Sequence, residues 1–226
     1  MSFGAMPPAW IADRRLTEFS GAVGVLGRSI AALKCHLAIA ANHPRYSDGA
    51  VLSFFDIATL AKLSRPMVVE GLEMLRAFQL VEIEKKAVKN TNRYVLIGHH
   101  PDASFTKVPQ DRISDRLRDI GNRGSAHLDA LKIYLTLLFL RDNNTNVATV
   151  SHERLVHYTG VRPDAVARAN SVIAALGMML IRRSESEWSV SGHPTNEYTL
   201  LGDFAGTRPS RLLPSDKRHR LPPWQQ

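Results

Sequence analysis

The sequence predicts an α+β fold, mainly helical with small β-hairpins, built as two tandem copies of one unit. Three observations predict it. Apolar residues recur at helical spacing in several segments. The chain resembles itself at a fixed offset: Ala32-Leu33-Lys34 matches Ala130-Leu131-Lys132, and Leu33 and Leu131 lie 98 residues apart. In each copy the last helical segment is followed by two β-rich stretches around a polar turn.

The offset holds without a gap for about fifty positions, pairing Leu37 with Leu135, Ser53 with Ser151, Ile57 with Leu155, Val68 with Val166 and Leu75 with Ile173. Beyond Ile83, which meets Ile181, the register shifts by a few residues, and the run Asn92 to Gly98 meets Asn196 to Gly202. The leaders are also alike, Pro8 with Ile11 to Arg14 against Pro109 with Ile113 to Arg116. A chain of 226 residues with 44% hydrophobic content can bury one large core or two small ones. The repeat decides for two: an N-terminal domain over 1–101, a C-terminal domain over 102–205, each with its leader, and a basic, proline-rich tail over 206–226 that cannot build a core.

In the first unit, Ile30 to Ala41 has helical spacing and is ended by Asn42, Pro44 and Gly49. Val51-Leu52 is a short extended piece. Ser53 then serves as N-cap of a short second helix to about Ala61, with Asp56 placed to favour the helix dipole. Leu63-Ser64-Arg65-Pro66 is a tight break, because proline suits the first turn of a new helix, and Val68, Leu72 and Leu75 form the stripe of that third helix, to about Phe78. Leu80 to Ile83 and Asn92 to Ile97 flank the polar run Lys85 to Asn90 and read as a hairpin. The second unit repeats the steps: a helix over Leu128 to Leu140, a polar turn at Asp142 to Asn144, a helix over Ser151 to Tyr158, a break at Gly160, a helix over Pro163 to Leu176 and a hairpin over Met179 to Leu201.

The stretch Leu155 to Arg168, with Gly160 at its turn, resembles the helix-turn-helix signature of winged-helix regulators, and Leu60 to Val68 resembles the same pattern with Lys62 in place of the glycine. The resemblance covers about 28 to 98 and about 126 to 202. Two such units in one chain, each with a proline-led leader and an Ala-Leu-Lys helix, resemble the replication initiators of plasmids and related mobile elements. That resemblance implies tandem winged-helix domains that lay a recognition helix in the major groove of double-stranded DNA.

In such a module the polar positions off the apolar stripe face the duplex while the hairpin and helix ends hold phosphates. For the first unit these are Ser64, Arg65, Met67, Val69 and Glu70, with Lys85, Lys86, Lys89 and Arg93 on the wing. For the second they are Arg162, Asp164, Ala165 and Arg168, with Arg182 and Arg183 entering the hairpin. A bidentate Arg65 on guanine would be worth roughly 1–3 kcal/mol of discrimination. The net charge of +8 and pI near 9.9 favour a polyanionic partner. A winged-helix unit that docks on protein without reading DNA is the alternative.

Signals for chemistry are weak. Cys35 is the sole cysteine, which excludes an intramolecular disulfide and a cysteine-rich zinc site and suits a reducing cytoplasm. His99-His100-Pro101-Asp102 follows the hairpin directly and reads as a linker rather than a metal site. Tyr94 and Tyr198 occupy equivalent hairpin positions and read as core. No glycine-rich phosphate loop ending in Lys-Ser or Lys-Thr is present, and no carboxylate or histidine cluster suggests an enzyme. No cofactor is expected. The longest apolar runs are too short to span a bilayer, and Asp13, Arg14 and Arg15 stand where a signal peptide would be apolar. The expected partner is double-stranded DNA, with a second copy of the chain as a further candidate, and no membrane.

Overall fold

The computed structural model describes residues 3–85, 90–183 and 195–204. The fold is α+β, with helices as its larger part and three small antiparallel sheets. The first half runs β1 (Phe3–Met6), α1 (Ala9–Ala12), a 3-10 turn (Arg15–Glu18), α2 (Leu26–Ala41), β2 (Ala50–Ser53), α3 (Phe54–Ala61), α4 (Arg65–Ala77), β3 (Val81–Lys85) and β4 (Thr91–Leu96). The second runs β5 (Thr106–Pro109), α5 (Gln110–Arg116), a 3-10 turn (Leu117–Asp119), α6 (Ser125–Leu140), β6 (Val147–Ser151), α7 (His152–Thr159), α8 (Pro163–Ala175), β7 (Met179–Arg183) and β8 (Thr195–Leu200).

The extended piece before each second helix is a third strand of the sheet, so the hairpins belong to three-stranded sheets ordered β2-β4-β3 and β6-β8-β7. Ser53 pairs with Thr91 and Ser151 with Thr195, which brings the cap of each second helix to the loop end of its hairpin. Ser53 and Asp56 form a capping box, the hydroxyl accepting from the Asp56 amide at 3.0 Å and the carboxylate from the Ser53 amide at 2.8 Å. Ser151 caps α7 by accepting from the Arg154 amide at 3.2 Å.

Between the second and third helices both halves place a left-handed residue, but not the same residue type. Gly160 sits at φ 64°, ψ 15°, and Lys62 takes the left-handed region too, at φ 49°, ψ 52°. The turn therefore does not need glycine, although a side chain there carries a cost of roughly 1–2 kcal/mol.

Helices α2 and α6 are the centre of the fold. From Ser29 to Ala41 every residue of α2 is buried, and most of α6 is buried likewise. A helix buried on all sides needs partners on all sides. Helix α2 packs on α4, on α3, on the leader strands and on α6, its counterpart. One continuous apolar cluster therefore spans both halves. Gly71 lets α4 approach α2, since a Cβ there would stand 2.8 Å from the Ala31 carbonyl carbon.

The leaders cross between the halves. Strands β1 and β5 pair antiparallel, Phe3 with Pro109 through Met6 with Thr106, across the ends of the central helices. The first 3-10 turn then packs on α7 of the second half, and the second turn packs on α3 of the first. Arg14 Nε donates to the His157 carbonyl at 2.9 Å, while Asn122 Nδ2 donates to the Lys62 carbonyl at 2.8 Å.

Candidate nucleic-acid interface

Helix α4 places Val68, Leu72 and Leu75 inside, which leaves Ser64, Arg65, Val69 and Glu70 on its outer face. Helix α8 does the same with Val166, Ala169 and Ile173, leaving Arg162, Asp164 and Arg168 outside. Two residues expected on the outer face turn inward instead. Met67 packs against the core, and Ala165 at the equivalent position is only 4% exposed. The third helices rest on both the first and second helices of their halves, so the apolar stripe is wider than one row.

Two expected cations are engaged with carboxylates. Arg93 Nη1 lies 3.8 Å from Asp48 Oδ2 and 3.7 Å from Glu84 Oε2. Arg162 Nη2 lies 3.2 Å from Asp164 Oδ2 within the first turn of α8. Arg182 and Arg183 are exposed on β7, an edge strand, opposite Glu197 and Asn196. Lys86 and Lys89 lie outside the described residues, as does the side chain of Lys85.

The first half carries an open groove of about 720 Å³ between the start of α3, the start of α4 and the loop end of the hairpin. Its apolar floor is Phe54, Phe55 and Ala58, and its polar walls are Ser53, Arg65 and Asn90 to Asn92. Phe55 is 77% exposed, an unusual state for so large an apolar side chain. No sequence signal marks it, because adjacent helix positions can share an apolar face, as Ala165 and Val166 do in α8. In the second half His152 and Glu153 stand at the places of Phe54 and Phe55, and Asn196 Nδ2 meets His152 Nε2 at 3.1 Å. The two halves thus present different chemistry at matching positions.

Behind this surface sit two buried lysines, Lys34 and Lys132, the repeated lysines of the Ala-Leu-Lys runs. Lys34 Nζ donates to the Ile120 carbonyl and to Asn122 Oδ1, both at 2.7 Å, and burial lowers its pKa to about 8. Lys132 Nζ donates to the Thr159 carbonyl at 3.3 Å, and burial lowers its pKa as well. Lys132 therefore braces the backbone beside the α7–α8 bend, while Lys34 holds the second leader, whose Asn122 reaches the Lys62 carbonyl.

The remaining reactive residue types are occupied structurally. Cys35 is fully buried and its thiol is pushed up to about 12 by burial, so it is no nucleophile. Tyr94 and Tyr198 are buried, with Asn92 and Asn196 donating to their hydroxyls at 3.3 Å. His99 packs on His43 with ring centroids 4.3 Å apart and contacts the Arg45 carbonyl, whereas His100 is exposed. Among the described residues no group of three or more His, Cys, Asp or Glu could hold a metal ion, and no helix is long and apolar enough to cross a membrane.

No family model, curated protein or solved structure matches this chain.

Proposed function

We propose that the chain is a pair of tandem winged helix-turn-helix modules that binds double-stranded DNA sequence-specifically, as a replication initiator or transcriptional regulator of a mobile element. The observation that best supports this is the recurrence of one element order. Helix, strand, helix, helix, strand, strand occurs twice, with the outer strands of each sheet flanking the last one and a left-handed residue at the same bend. In such a scaffold α4 and α8 enter successive stretches of major groove while the hairpins rest on phosphates. Arg65 and Arg168 are exposed cations on those helices, and the net charge of +8 favours a polyanion. The likeness to plasmid initiators supports the role within DNA metabolism.

The test is selection of bound fragments from random or genomic duplex DNA, followed by footprinting. An initiator protects an array of direct repeats and distorts the duplex, whereas a regulator protects one operator, commonly as a symmetric dimer. No enrichment, even at low salt, contradicts both.

A second reading, a docking module for another protein, draws support from the ion pairs Arg162–Asp164 and Arg93–Asp48/Glu84, which neutralise part of the proposed reading surface. It is favoured if duplex binding is absent at low salt.

A further inference from the structure

We propose that the exchanged leaders complete the DNA-binding surface of the opposite half, with Arg14 serving the second helix-turn-helix and Arg123 the first, each as a phosphate ligand. The proposal rests on the duplex-binding reading. Its basis is the crossing of the leaders, which puts residues remote in sequence beside each bend. Arg14 is tied by Nε to the His157 carbonyl at 2.9 Å, and Thr17 follows so closely that a Cβ on Gly160 would stand 3.2 Å from its methyl group. In the first half, Asn122 donates to the Lys62 carbonyl, and Lys34 holds both Asn122 and the Ile120 carbonyl at 2.7 Å. The backbone that carries Arg123 is therefore pinned beside the bend that precedes α4.

Charge points the same way. Arg93 and Arg162, on the hairpin and the reading helix, already face carboxylates. Arg14 and Arg123 are exposed, and among the described residues neither pairs with an acid. A guanidinium whose Nε is already fixed loses less freedom when its remaining donors meet a phosphate. With both leaders counted, each bend has an unneutralised arginine contributed from the other half of the chain.

The test measures affinity for a labelled mixed-sequence duplex of about three helical turns as a function of salt, because non-specific binding reports phosphate contacts regardless of sequence. Each lost contact lowers the magnitude of the log–log slope by about 0.9. The full-length chain is compared with R14A, R123A and the double variant, and with R76A, which removes an exposed arginine from the far end of α4. The expected result is a slope lower by about one for each leader variant, by about two for the double variant, and unchanged for R76A. R123A keeps the test sound if R14A perturbs folding, since Arg123 makes no hydrogen bond among the described residues. Binding with unchanged slopes in R123A and R14A, or an equal loss in R76A, overturns the proposal alone. Failure of the unaltered chain to bind at low salt overturns the duplex-binding reading on which it stands.

Discussion

Two glycine-to-alanine substitutions should act with opposite sign, and the difference follows from what surrounds each Cα. Gly27 lies near the start of α2 with nothing within 4 Å of a built Cβ, so Gly27→Ala should reduce the freedom of the unfolded chain and stabilise the protein by about 0.5–1 kcal/mol. Gly71 has the same propensity to gain. Its Cβ, however, would stand 2.8 Å from the Ala31 carbonyl carbon and 3.0 Å from the Ala31 oxygen and the Ala32 nitrogen. These are backbone atoms of a fully buried helix and cannot rotate away. Helix α4 has to move off α2 along their whole contact, and overpacking of this kind costs about 1–3 kcal/mol. Setting the propensity gain against the middle of that range leaves Gly71→Ala destabilising by about 1 kcal/mol, a loss of roughly 2–4 °C in Tm for a chain of this size. Urea unfolding of both variants, with the midpoint read at constant m, measures the two signs directly. Equal stabilisation by both substitutions would refute the close approach of α4 to α2.

Acid should destabilise the fold through its buried histidines. Burial holds His36 at about 3 and His43 at about 4, against an ordinary 6.5, and neither ring nitrogen of His36 has a hydrogen-bond partner among the described residues. The unfolded chain takes up protons that the folded chain excludes, so stability is full above about pH 6.5 and falls as the pH drops towards 3. At 1.36 kcal/mol per unit, His36 alone accounts for a loss on the order of 5 kcal/mol, and His36→Leu should flatten the acid limb of a stability–pH curve; an unaltered limb refutes it. Lys62→Gly should stabilise by up to about 1 kcal/mol by relieving a left-handed lysine, and Gly160→Ala should destabilise by at least that much because its methyl also meets Thr17. Thermal unfolding in which both changes have the same sign counts against the shared bend. Phe55→Ala should leave stability within about 0.5 kcal/mol, since the ring is largely exposed, yet weaken duplex binding several-fold by emptying the groove floor. Parallel unfolding and binding titrations separate the two effects.

What the sequence conveyed best was local. The spacing of Val68, Leu72 and Leu75, the cap at Ser53 and the proline at the start of α4 are written within a few residues of where they act, and the helices stand within a few residues of the expected bounds. Helix α2 begins several residues earlier than expected because Val25 and Leu26 carry no start signal, and α6 begins earlier because its apolar spacing sets in only at Leu128, after the Gly124 cap. The crossing of the leaders was not legible. Strands β1 and β5 are four residues long, too short for a clear alternation, and they pair across about a hundred residues of chain. The partners of Arg93 and Arg162 and the inward turn of Met67 and Ala165 likewise depend on tertiary neighbours. The exposure of Phe55 was not legible either, because adjacent helix positions can share an apolar face and only the packing puts Phe54 on the inward side.

The central claim is that the outer faces of α4 and α8 engage duplex DNA. It is tested most directly by fluorescence anisotropy on a fragment enriched from genomic DNA, comparing the unaltered chain with Arg65→Ala and Arg168→Ala against matched and scrambled duplexes. Saturable binding that prefers the enriched fragment is expected, with each substitution eroding that preference by about 1–3 kcal/mol while Tm stays put. Absence of binding at low salt, or a preference untouched by both substitutions, would contradict it.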